Sequence, residues 1–114
     1  MEADVRDIPV VLSGWRLMVT EEPALKTREV DGTSEIVTDR DGVSQFVVSV
    51  FAKSKGQKGE EIRVTLGTDP GPGFEDGTLV ELVGATVSPY SFKNGKGETV
   101  SGLAWRAAGL KPLG

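Results

Sequence analysis

Residues 77–110, GTLVELVGATVSPYSFKNGKGETVSGLAWRAAGL, leave this chain little choice of fold. Two extended apolar segments, 78–92 and 98–110, flank Lys93-Asn94-Gly95-Lys96-Gly97. An Asn-Gly pair there supplies the positive φ angles of a tight hairpin. The first segment carries apolar residues at both parities: Leu79, Val80, Leu82, Val83 and Val87. Such a strand is either covered on both faces or bent so that its halves bury different faces. Gly84 is the expected bend, because a strand glycine marks a bulge or a barrel corner. Long, coiled, glycine-broken strands are what a small closed barrel requires.

The rest of the chain is punctuated in the same way. Its 15 glycines and 6 prolines fall between short apolar runs, and no window holds a 3.6-residue apolar stripe. That distribution favours an all-β domain. At 114 residues the chain is long enough for one modest core. Residues 1–6 are read as a flexible leader and 7–114 as a single domain. A first strand is expected over 8–19, ended by Glu21-Glu22-Pro23 because proline cannot continue a ladder. Residues 24–30 are open between loop, a short helical turn and an edge strand. Asp31-Gly32 signals a turn, 34–38 a short strand, and 39–42 a second turn. Over 43–52, Phe46, Val48 and Val50 share the core face, with Gln45, Val47, Ser49 and Phe51 opposite. After a basic loop at 53–59, residues 60–66 alternate strictly, Ile62, Val64 and Leu66 against Glu61, Arg63 and Thr65. Residues 67–77 form an irregular connection with two prolines. The sum is a small antiparallel OB-like barrel of five to six strands with essentially no helix. An open β-sandwich is the competing architecture.

The chain has neither cysteine nor histidine. Thiol chemistry and disulfides are therefore excluded, and the commonest general base and metal ligand is missing. No cofactor or metal is expected. The acidic start, with a proline inside its one apolar run, reads as neither a signal peptide nor a membrane span, so a cytoplasmic chain without membrane contact is expected. Net charge is −4, which alone argues against non-specific nucleic-acid binding. The charge is uneven, however. Residues 1–41 hold ten acids against five bases, and 42–114 hold seven against eight.

Tyr90 and Phe92, two apart on one strand, precede a hairpin tip bearing Lys93 and Lys96. Aromatic rings beside lysines suit base stacking with phosphate contact. The plainer reading has the rings capping a barrel end and the lysines keeping an edge soluble. Lys53, Lys55, Lys58 and Arg63 form a second basic group, either phosphate contacts or a solvated loop. Trp105-Arg106 offers a stacking ring with a phosphate contact, but Trp105 is expected in the core, whereas Trp15 is undecided. Asp39-Arg40-Asp41-Gly42 reads as a turn, since a calcium loop needs further oxygen ligands that do not follow. Glu60-Glu61 and Glu75-Asp76 read as surface charge, and Gly71-Pro72-Gly73 as a loop that no helix follows.

The opening IPVVLSGWRLMV and the later Gly77, Leu79-Val80-Glu81-Leu82-Val83-Gly84 resemble single-stranded-DNA-binding OB proteins. More closely, residues 31–110 are similar to a family of actinomycete plasmid proteins that activate replication, integration and excision. That likeness rests on Asp39, Asp41, Gly42 and Phe46 to Val50, on VGATVSPYSFKNGKG, and on LAWRAAGL. It implies a non-catalytic accessory protein of a mobile element that binds single-stranded DNA or a DNA–protein complex. Tyr90, Phe92, Lys93 and Lys96 would be the binding residues, supported by Lys53, Lys55 and Arg63. It further implies a replication or recombination protein as partner, and self-association into a homo-oligomer. The alternative is a protein-interaction module with no direct nucleic-acid contact, and an enzyme is the weakest option.

Overall fold

The computed structural model describes residues 7–113, so the leader expected at 1–6 lies outside the described residues. Among the described residues ten strands occur: β1 (Ile8–Pro9), β2 (Trp15–Leu25), β3 (Thr27–Val30), β4 (Thr33–Ile36), β5 (Phe46–Ser54), β6 (Glu60–Leu66), β7 (Leu79–Val83), β8 (Thr86–Lys93), β9 (Thr99–Ala107) and β10 (Gly109–Pro112). Among the described residues there is no helix. Eight strands form one sheet in the order β1-β8-β9-β6-β5-β2-β7-β10, and β3–β4 form a separate hairpin. Pairing is antiparallel except between β6 and β9, which run parallel.

The all-β expectation holds, but the count of five to six strands and the wholly antiparallel closed barrel do not. The ladder stays open, with β1 and β10 at its edges. The expected strand 8–19 is two strands, because residues 10–14 leave the ladder and Gly14 turns back at φ 84°. The expected 78–92 strand breaks at Gly84-Ala85, and 98–110 breaks at Ala108. Residues 24–30, left open above, contribute the end of β2 and all of β3. Pro23 does not end β2. Register shifts between Val19 and Glu21, and between Glu21 and Ala24, let the strand bulge past the missing N–H.

Although the ladder is open, its two ends are covalently close. β7 lies next to one edge and β8 next to the other, yet only Gly84-Ala85 separates them. The sheet must therefore curl back on itself. Gly84 makes that corner at φ 62°, and an added Cβ would lie 3.4 Å from the Ala108 Cβ. Gly84→Ala is expected to cost about 1 kcal/mol, read as a lower urea midpoint at unchanged slope.

The concave face of the curl is the core. Leu17 and Val19 come from β2, Val48 and Val50 from β5, Ile62, Val64 and Leu66 from β6, and Val80 and Leu82 from β7. Alternation in β6 is obeyed from Glu61 to Val64, while Glu60 is exposed and Thr65 is buried as well. Phe46 is half-buried at the margin, as are Trp15 and Trp105, which pack against the cluster. Phe74 is the one buried residue of the 67–77 connection and plugs the core from outside the sheet.

The turns follow their chemistry, with one correction. Asp31 and Gly32, at φ 52° and 78°, join β3 to β4 as a type I′ turn. At the other hairpin, the positive φ falls on Gly97 and not on Asn94 or Gly95. Asn94 acts through its side chain instead, its Oδ1 accepting the N–H groups of Lys96 at 2.9 Å and Glu98 at 3.0 Å. Asp39 does the same for Asp41 and Val43, both at 2.9 Å. The two turns share one design, and the aspartate is committed to the backbone.

Candidate nucleic-acid interface

Because side chains alternate across a strand, burial of Val48, Val64 and Val87 turns their neighbours to the convex face. Ladder registers then fix which residues are adjacent there. Thr86 opposes Arg106, Ser88 opposes Ala104, Tyr90 opposes Gly102 and Phe92 opposes Val100. Arg106 in turn pairs with Thr65, and Arg63 with Ser49.

Tyr90 and Phe92 stack, their ring centroids 6.1 Å apart and their planes 24° from parallel. Both are about half exposed, at 44% and 55%. The Tyr90 ring lies across Gly102, where an added Cβ would meet the hydroxyl oxygen at 2.6 Å. Gly102 is not in the left-handed region, so its backbone does not require glycine; its lack of a side chain gives the ring the place it occupies.

Beside this pair is a cationic groove. Lys26 stands between β2 and β3, its N–H donating to the Gln45 carbonyl and its carbonyl accepting from Val37, both at 2.8 Å. With its backbone so fixed, its ammonium reaches the buried Thr65 and donates to Oγ1 at 2.9 Å. Burial, then the Arg106 and Arg63 guanidiniums, lower the Lys26 pKa from 10.5. An open groove of about 770 Å³ is lined by Lys26, Arg40, Arg106 and Tyr90 together with Asp7 and Asp39. A smaller hollow of about 250 Å³ shares Lys26 and Thr65 and adds Arg63. Asp39 is occupied by its own turn, and Asp7 Oδ1 accepts from Ser88 Oγ at 3.3 Å. Among the described residues the ion pair found is Arg28–Glu35, 3.9 Å apart on the exposed hairpin, and the groove cations take no part in it. Lys26, Arg40 and Arg106 outnumber Asp7 and Asp39 here, and Arg63 adds a further positive charge next to Lys26, an excess that an anion relieves.

Of the seven residues expected from sequence, Tyr90, Phe92, Arg63 and Lys53 share the convex face, but not as one cluster. Arg63 joins the groove. Lys53 lies on the next strand, β5, its ammonium donating to the carbonyls of Ser54 at 2.8 Å and of Gln57. Lys93 pairs with Thr99 at the opposite parity from Phe92, and Lys96 and Lys55 are exposed turn residues. Lys26 and Arg40 were not anticipated. Arg106 was weighed as a phosphate contact only together with an outward Trp105, yet the inward tryptophan is what directs it outward.

The strain at Lys26 has a measurable sign. Its folded pKa is lowered below the unfolded value, so the folded state holds fewer protons between the two and stability rises with pH through that window. Lys26→Gln keeps a donor for Thr65 and removes the charge. It is expected to stabilise the fold at neutral pH by on the order of 0.5 kcal/mol, after solvent screening, in urea melts.

Among the described residues no helix is long and apolar enough to cross a membrane. No protein-family model and no curated protein sequence matches the chain.

Proposed function

We propose that this chain is a non-catalytic, OB-like domain that binds single-stranded DNA on the convex face of its sheet. The observation that carries the reading is the stacked Tyr90–Phe92 pair beside Lys26, Arg63 and Arg106, on one continuous and open surface. Bases stack on the rings, which tolerates any sequence because every base has a π-face. Phosphates take the cationic groove and relieve the repulsion there. Two features favour the OB-like path. β6 pairs in parallel with β9, and the chain 79–93 pairs with β2 before Gly84 and with β9 after it. On this reading β1, β10 and the β3–β4 hairpin are additions to a five-stranded plan. An open groove suits a polymer better than a small substrate, and Glu60, Glu61, Glu75 and Asp76 are all exposed, as surface charge should be.

The likeness to plasmid replication, integration and excision activators supplies the setting: a cytoplasmic accessory protein of a mobile element, acting on strands opened during those events. The test is fluorescence anisotropy of a labelled single strand of about 30 nucleotides, with the duplex alongside, at about 50 and 200 mM salt. Micromolar or tighter binding of the single strand that weakens with salt supports the reading. No binding at the lower salt overturns it.

A further inference from the structure

We infer that Phe51 is a second base-stacking station on the same face, so that long single strands are held at two aromatic sites with the cationic groove beside the line that joins them. This rests on the function proposed above and names how much of a strand the site engages.

The first observation is a repeated device. Phe51 lies across Gly59 as Tyr90 lies across Gly102, and a Cβ added at Gly59 would collide with the ring. Gly59, like Gly102, is outside the left-handed region, so what its lack of a side chain provides is again the space the ring occupies. A ring resting against backbone loses little freedom on binding. Nothing else on the convex face is built this way among the described residues.

The second observation is the surroundings. Met18 pairs with Phe51 on one side and with Leu79 on the other, which makes an apolar hollow of about 400 Å³. These three side chains are 37–45% exposed. Arg16 and Lys53 form its rim. Lys53 is pre-positioned, because two carbonyls already hold its ammonium. An apolar floor with a cationic rim fits a base with its flanking phosphates.

The third observation is continuity. From Tyr90 on β8 to Phe51 on β5 are three strand intervals, roughly 14 Å at normal spacing. The cationic groove lies beside that line, and Val47, opposite Thr65, is four residues from Phe51 along β5, a further ~13 Å. A strand that turns through the groove therefore meets both stations only if it is long. Glu61, directly opposite Phe51 and exposed, stands between them and opposes phosphate.

The test uses the intact chain and labelled oligothymidylates of about 5 and about 15 nucleotides, spanning the range a single OB domain covers. Phe51→Ala is expected to weaken the longer oligomer about tenfold and leave the shorter unchanged, while Tyr90→Ala weakens both. Gly59→Ala displaces the ring without removing it and should repeat the Phe51→Ala result, with circular dichroism checking that each variant is folded. Glu61→Gln should tighten the longer oligomer alone. If the native chain binds neither oligomer, the proposed function itself fails. If it binds both and Phe51→Ala holds the longer one as tightly as the native chain, the second station fails and the function stands. The hollow is then left to a protein partner.

Discussion

A chain carrying Lys26→Gln, Arg63→Gln and Arg106→Gln binds a single strand about 100-fold more weakly than the native protein at ~0.1 M salt. Its affinity also responds less steeply to salt. Each phosphate neutralised on a single strand contributes about 0.7 to the slope of log K against log salt, so three lost contacts flatten it by about 2. One decade of salt below the 1 M reference then amounts to the factor of about 100. The chain's net charge of −4 does not prevent this, because at ~0.1 M salt charges beyond about 10 Å are screened, and what the strand meets is the groove. Each glutamine keeps a polar, hydrogen-bonding side chain at its site, and removing Lys26 relieves repulsion, so unfolding is not the expected cause of the loss. Lys93→Gln with Lys96→Gln serves as the comparison. Both lysines sit at an exposed tip and are expected to change affinity only a few-fold. Equal dissociation constants and equal salt slopes for the native and triple-variant chains would refute the groove as the phosphate site.

How much of this was legible beforehand depends on the range over which the deciding contact acts. The core face of β6 was readable because alternation of Ile62, Val64 and Leu66 is local and the core obeys it, whereas the burial of Thr65 on the other face was not. The bend at Gly84 was readable for the same reason, as was the shared face of Tyr90 and Phe92. Lys26 was not readable. Its partner Thr65 is 39 residues away, and Arg106 reaches both only through the parallel pairing of β6 with β9. Parallel register leaves no turn between its strands to announce it. Pro23 misled because a proline forbids a paired N–H but does not forbid a bulge. Asn94-Gly95 misled in a subtler way. The pair does mark the hairpin, but Asn94 caps the turn through its carbonyl oxygen while Gly97 takes the left-handed conformation. Phe51 and Gly59 are close in sequence, yet nothing in composition says that one ring lies on the other residue.

Phe74 is the residue whose loss costs most and whose sequence context says least. It follows Gly71-Pro72-Gly73 in a connection that reads as surface, and it is 6% exposed. Phe74→Ala is expected to destabilise the fold by about 3–5 kcal/mol, the range for a buried phenylalanine. A small domain has about 5–15 kcal/mol in all, so the variant is left marginal. The upper half of that range is favoured because the loop cannot sink into the void. Gly77 donates to the Val19 carbonyl at 2.8 Å, Thr68 Oγ1 to the Ala108 carbonyl at 3.1 Å, and Asp69 Oδ1 accepts from Gly71 at 2.9 Å. Tethered on both sides of Phe74, the backbone stays in place and the cavity persists. Phe51→Ala removes the same side chain from an exposed position and should cost at most about 1 kcal/mol. In urea the two variants are therefore expected to separate widely, with Phe74→Ala losing on the order of 2 M in midpoint and Phe51→Ala keeping nearly the native one. A similar loss in both would mean that the convex face carries stability that its exposure does not reveal. A small loss in both would mean that the 67–77 connection closes over the void despite its tethers.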